Sequence, residues 1–116
     1  MLIQAMKKVF DNYKDASQKI YTVSSNIGLD GKGFFHLKQG GKILGQIEVT
    51  LAGSELILLD TTVIADRYLH SAGVRLISEI VEYARMHELK IVTLSKFVQR
   101  KFRSNPLLYI DVWEKA

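Results

Sequence analysis

The stretch that decides the fold runs from Glu55 to Leu94. It opens with Glu55-Leu-Ile-Leu-Leu-Asp-Thr-Thr-Val-Ile64, an apolar, β-branched run that suits a central strand. Ala72, Leu76, Ile77, Ile80, Val81 and Ala84 then recur at helical spacing, with Arg75, Glu79, Glu82 and Arg85 on the opposite side. That pattern predicts a helix from about Ser71 to His87. Lys90-Ile-Val-Thr-Leu94 follows as a short buried strand. A strand, a helix and a second strand in this order make a crossover unit with parallel strands.

Upstream of this unit the period is two. Gly33 to Lys38 reads as a strand, and Gln39-Gly40-Gly41 turns the chain. In Lys42 to Leu51, residues Ile43, Gly45, Ile47, Val49 and Leu51 share one face, and Leu44 is the apolar exception on the other. Ala52-Gly53-Ser54 and Asp30-Gly31-Lys32-Gly33 are turn signals. Leu2, Ile3, Met6, Val9, Phe10, Tyr13, Ala16 and Ile20 fall near helical spacing. Residues 1–30 are therefore expected as a largely helical N-terminal extension, although 21–29 is ambiguous. The helix could pack on the domain or on a second copy, as in a homodimer. Downstream, Phe97 to Arg103 reads as a helix stopped by Ser104-Asn105-Pro106. Tyr109 to Trp113 is expected as a last strand, with Tyr109 and Trp113 in the core. The fold class is α+β: an antiparallel meander followed by a β-α-β-α-β half in one mixed sheet.

Composition sets the outer limits. The 116 residues make one domain, 1–116, too short for a second core. Cysteine is absent, which excludes a disulfide framework, a thiolate metal site and a cysteine nucleophile. No His/Asp/Glu spacing suggests a metal. No apolar run reaches the roughly 20 residues that cross a bilayer. No signal-peptide pattern opens the chain, so a cytoplasmic protein is the default reading.

Charge is uneven. Between Leu89 and Ile110 there is no acidic residue, while Lys90, Lys96, Arg100, Lys101 and Arg103 supply five of the sixteen basic ones. The formal net charge is +4, so the whole excess lies in this segment. Either it is a solvated helix face or it meets an anionic ligand. Nucleic acid is disfavoured, because no stacking aromatics alternate with the cations. The junction before the long helix, Ala65 to Gly73, offers unpaired backbone N–H groups at a helix N-terminus. Ser71, Ala72 and Gly73 are small enough to let a phosphate approach there, and His70 could contact it when charged. His36 and His87 read as surface or packing residues.

The run from Phe34 to Val112, about two thirds of the chain, resembles the small single-domain branch of the GNAT N-acetyltransferase superfamily. The matching residues are Phe34-Phe35, Leu44-Gly-Gln-Ile-Glu-Val49 and Asp60-Thr-Thr-Val63, where the branch commonly has His-Thr-x-Val. The helix through Val81-Glu-Tyr-Ala-Arg85 follows the branch, as do Leu89-Lys-Ile-Val92, Asn105-Pro106 and Tyr109-Ile-Asp-Val112. The resemblance implies an acetyl-CoA site. The pantetheine arm would lie along Thr62 and Val63, in the wedge between this strand and the next. The pyrophosphate would meet Leu69, His70, Ser71, Ala72, Gly73 and Val74, and the nucleotide phosphate Arg100 and Lys101.

There are departures. The motif Gln/Arg-x-x-Gly-x-Gly/Ala falls on Tyr68 to Gly73, where only the last glycine survives. Asp60 stands for the branch's histidine and Ser95 for its cysteine. Asp60 is then the candidate base, or a strand-end carboxylate with an ordinary hydrogen bond. Ser95 is the candidate partner of the thioester, or the N-cap of the following helix. The expected function is acetyl transfer from acetyl-CoA to an amine acceptor, without a covalent intermediate. The alternative is a non-catalytic module that binds CoA or acyl-CoA.

Overall fold

A computed structural model describes residues 21–63 and 69–114. The expected helix over 2–20 and the loop residues 64–68 lie outside the described residues. One sheet of five strands takes the order β1-β2-β3-β4-β5: β1 Thr22–Ile27, β2 Lys32–Gln39, β3 Lys42–Ala52, β4 Glu55–Val63 and β5 Lys90–Thr93. The first three pairings are antiparallel and β4–β5 is parallel. Helix α1, Leu69–Met86, connects β4 to β5, and α2, Lys96–Ser104, follows β5. The mixed sheet and its parallel crossover agree with the sequence reading. The 1–30 extension does not hold as a helical unit, because Thr22–Ile27 pairs along the length of β2 as its edge strand.

Tight turns set the meander. Gly40 and Gly41 both have positive φ, 55° and 83°, between β2 and β3. That is the backbone of a two-residue hairpin turn, which residues with a Cβ adopt at a cost.

Helix α1 buries Leu76, Ile77, Ile80, Val81 and Ala84. Opposite them lie Phe35 and Leu37 of β2, Leu44, Ile47 and Val49 of β3, and Leu56 and Leu58 of β4. Each of these large side chains stabilises the fold by roughly 1.5–3 kcal/mol on leaving water. On its solvent side α1 carries the Arg75–Glu79 pair at 3.0 Å.

Two β-bulges change which side chains face this core. Leu37 pairs with Gly45 and Lys38 with Ile43, leaving Leu44 as the extra residue. Leu44 is buried and Ile43 exposed, reversing the simple alternation. Glu48 pairs with Asp60 but Val49 with Leu58, so Leu59 is the extra residue of β4.

The expected last strand is reduced to one bridge. Pro106–Tyr109 forms a 3₁₀ helix, and the Tyr109 carbonyl accepts the N–H groups of Val112 and Trp113 at 3.0 and 2.7 Å. That turn consumes the residues a strand would need. Only Trp113 bridges Ile91 of β5, in parallel. Tyr109 is buried and Trp113 packs against the core, as expected. Arg85 clamps this segment: it donates to Asp111 through Nε at 2.8 Å and Nη2 at 3.2 Å, and to the Leu108 carbonyl at 2.8 Å.

Candidate functional site at the strand wedge

The parallel pairing of β4 with β5 covers only Glu55 to Leu58, against Lys90 to Thr93. The last tie is the Leu94 N–H donating to the Leu58 carbonyl at 2.8 Å. Beyond it β4 continues to Val63, paired among the described residues with β3 alone. The bulge at Leu59 falls one residue past the last parallel pair, where it bends β4. The chain after Thr93 meanwhile turns into α2. The β4 edge from Leu59 to Val63, about five residues or roughly 16 Å, is thus without a strand partner on this side among the described residues, which leaves a wedge between β4 and the chain entering α2.

The bulge also decides which side chain enters the wedge from the helix side. Thr61 is opposite Ile47, which is fully buried beneath α1. Asp60 is opposite Glu48 on the outer face of the sheet, and both are exposed. Asp60 Oδ1 accepts the neighbouring Thr61 N–H at 2.9 Å. This is a local, exposed side-chain-to-backbone hydrogen bond, and none joins Asp60 to Ser95.

Ser95 is buried, with 5% of its surface exposed. It is the N-cap of α2, and its Oγ accepts the Val98 N–H at a long 3.4 Å. Its own N–H donates to Thr93 Oγ1 at 3.1 Å, and Gln99 Nε2 donates to the Thr93 carbonyl at 2.8 Å. These contacts fix the start of α2. Ser95 Oγ also lies 2.6 Å from Thr61 Oγ1, a short hydrogen bond across the divergence between β4 and α2. The sequence reading did not single out Thr61. Its visible signal was limited to its place in the Asp60–Val63 run.

The other candidates divide into two groups. Thr62 is exposed on β4 beside Asp60, and Val63 ends the strand opposite Gly45. Leu69, His70, Ser71 and Ala72 form the first turn of α1, which begins two residues before the expected Ser71. Their N–H groups belong to the set that an α-helix leaves without intrahelical partners. Gly73 lies deeper in the helix and is buried. A Cβ there would overlap Cζ of Phe97 and lie 2.8 Å from its Cε1. The glycine therefore lets α2's aromatic ring rest on α1.

Two basic residues of α2, Arg100 and Lys101, share a groove with α1. Val74 and Ile77 line one side; Phe97, Arg100, Lys101 and Ser104 line the other, around about 360 Å³. Among the described residues, Arg100 and Lys101 form no ion pair. Lys90 is separate from this group, and its Nζ donates to the Asp111 carbonyl at 2.6 Å. His36 stacks on Phe34 and His87 lies against Tyr83, consistent with surface and packing roles.

A solution structure of a GCN5-like candidate N-acetyltransferase from Staphylococcus aureus superposes on this architecture with a TM-score of 0.60. The match covers 80% of this chain and 89% of that one, at 22% identity. The fold is GNAT-like. Nourseothricin acetyltransferase gives a looser likeness, with a TM-score of 0.45, 16% identity, and 65% and 58% of the two chains covered. No family model and no curated protein matches the sequence. In this GNAT-like frame the diverging pair is β4 and β5, and α1 starts above it. No helix among the described residues is long and apolar enough to cross a membrane.

Proposed function

We propose that the protein is an acetyl-CoA-dependent N-acetyltransferase that uses the β4–β5 wedge. The observation that carries this reading is the wedge itself. An unpaired strand edge and two joined hydroxyls lie at the start of α2, and a basic groove runs between α2 and α1. An extended amide-bearing arm can add to the free edge of β4 at Thr62 and Val63 by strand-type hydrogen bonds. In this reading the pyrophosphate lies at the first turn of α1, from Leu69 to Ala72, with Val74 in the adjoining groove. Arg100 and Lys101 face the nucleotide phosphates. Gly73 contributes through the seating of Phe97 and thus through the placement of α2.

The reaction asks little of the protein. The acceptor nitrogen attacks the thioester carbonyl; the C–N bond forms, the C–S bond breaks and sulfur departs as thiolate. The amine loses one proton to water or to Asp60, and the thiolate gains one. Positioning the two reactants supplies much of the rate, and donors aimed at the developing charge supply more. Ser95 is the buried hydroxyl placed for that second task.

One observation favours a second reading, a CoA-binding module without turnover. Asp60 already accepts its own neighbour's N–H and has no hydrogen bond to Ser95. A thiol-release assay with acetyl-CoA and a panel of primary amines separates the readings. Panel members are polyamines, amino acids, aminoglycosides and lysine peptides. Amine-dependent release supports transfer. Binding of acetyl-CoA without release from any amine favours the module.

A further inference from the structure

We propose that Thr61 is a positioning residue: with Ser95 it forms a two-hydroxyl unit whose one uncommitted proton is donated to the sulfur of CoA. This rests on the acetyl-CoA reading above and goes beyond it in assigning a residue and an atom.

The argument is a count of protons. Each hydroxyl has one hydrogen to give and two lone pairs to accept with. The pair therefore holds two protons. One lies in the mutual 2.6 Å hydrogen bond, whichever oxygen donates it. Ser95 Oγ receives the Val98 N–H, which uses a lone pair and no proton. Among the described residues, no other acceptor is bonded to either hydroxyl. One proton is thus left over for a ligand in both directions of the bond.

Its position is set from several sides. Ser95 is held by the N-cap and by Thr93, so its oxygen cannot swing away. Thr61 is held on the inner face by the bulge at Leu59 and its pairing with Ile47. Both lie past the Leu58–Leu94 tie, and their hydrogen bond at the middle of the Leu59–Val63 edge marks the inner end of the wedge. With the phosphates in the groove of Arg100 and Lys101, the arm runs down the β4 edge and its sulfur reaches this end. A partly dehydrated donor fixed before the reaction stabilises the thiolate that C–S cleavage produces. It needs no reorganisation as the charge develops. Thr61 acts through Ser95 in one direction of the hydrogen bond and beside it in the other. In both it sets where the spare proton points.

The test uses CoA and desulfo-CoA and needs no acceptor. The thiol pKa of bound CoA is read from thiolate absorbance in the ultraviolet across a pH series. Wild type is expected to lower it by about one unit from free CoA, the size of one hydrogen bond to a charged acceptor. Thr61→Val leaves Ser95 its proton but removes the partner that aims it, so the shift should shrink, while Thr61→Ser should keep it, with thermal melts confirming that both variants fold. Desulfo-CoA should bind wild type and Thr61→Val equally. The proposal is overturned by an undiminished shift in Thr61→Val. It is also overturned if that variant weakens CoA and desulfo-CoA alike, which would mark a purely structural role. If wild type binds neither ligand, the acetyl-CoA reading fails, and this inference with it.

Discussion

Replacing Gly73 by alanine sets two known quantities against each other. In a helix interior, alanine is favoured over glycine by about 1 kcal/mol. Here the added methyl would overlap Cζ of Phe97 and sit 2.8 Å from Cε1 and 3.4 Å from Cε2. Overpacking of this kind costs about 1–3 kcal/mol. Phe97 is half-buried, so its ring can yield, and we take about 2 kcal/mol. Gly73→Ala should then destabilise by about 1 kcal/mol, a fall of roughly 3–5 °C in Tm for a chain of this size. In a Phe97→Ala background the obstacle is gone and the propensity gain remains. The same substitution should now stabilise by about 1 kcal/mol. The coupling energy between the two sites is therefore about 2 kcal/mol, with a change of sign. Four thermal or denaturant melts complete the cycle. If Gly73→Ala stabilises equally in both backgrounds, the ring moves without cost and the packing role assigned to Gly73 is wrong.

Removing the clamp on the C-terminal segment should cost stability in a pH-dependent way. Arg85 holds the Asp111 carboxyl below the usual carboxylate range, chiefly through their hydrogen bond. A depressed carboxylate adds stability above its unfolded value, and that stability is lost as pH falls through the lower folded value. Arg85→Ala should cost about 1 kcal/mol at neutral pH, small because the pair is partly solvated. The gap to wild type in melting temperature should close in acid; a gap constant with pH would mean that the ion pair contributes nothing. In the inter-helix groove, Arg100→Ala with Lys101→Ala should weaken CoA more than dephospho-CoA. Equal losses by calorimetry would mean that these charges do not read the nucleotide's 3′-phosphate.

The apolar, β-branched run from Glu55 and the helical period from Ala72 to Ala84 made β4, α1 and the parallel β5 legible, because a central strand is buried along its length and a surface helix on one face. Ser95 was legible as a cap from its place before Lys96. The bulge at Leu59 was not, since it exists only in the register between β3 and β4. Simple alternation carries the inner face from Leu56 and Leu58 on to Asp60. The extra residue instead turns Asp60 outward and Thr61 inward. That single slip hides from the sequence which of the two side chains faces Ser95. The Thr61–Ser95 bond spans 34 residues and depends on it. The packing of Phe97 on Gly73 is not legible, because it depends on how α2 lies against α1. Tyr109 to Trp113 has strand-like residues, but Pro106 starts a 3₁₀ turn whose hydrogen bonds consume them. β1 is short and polar, and its pairing is fixed by β2 rather than by its own pattern.

The central claim is that the wedge and the basic groove together bind acetyl-CoA. Calorimetric titration of acetyl-CoA into the protein, with ATP for comparison, tests it most directly. The account predicts saturable one-site binding at micromolar strength, roughly −8 kcal/mol, with ATP much weaker. An absence of binding at millimolar acetyl-CoA would contradict it.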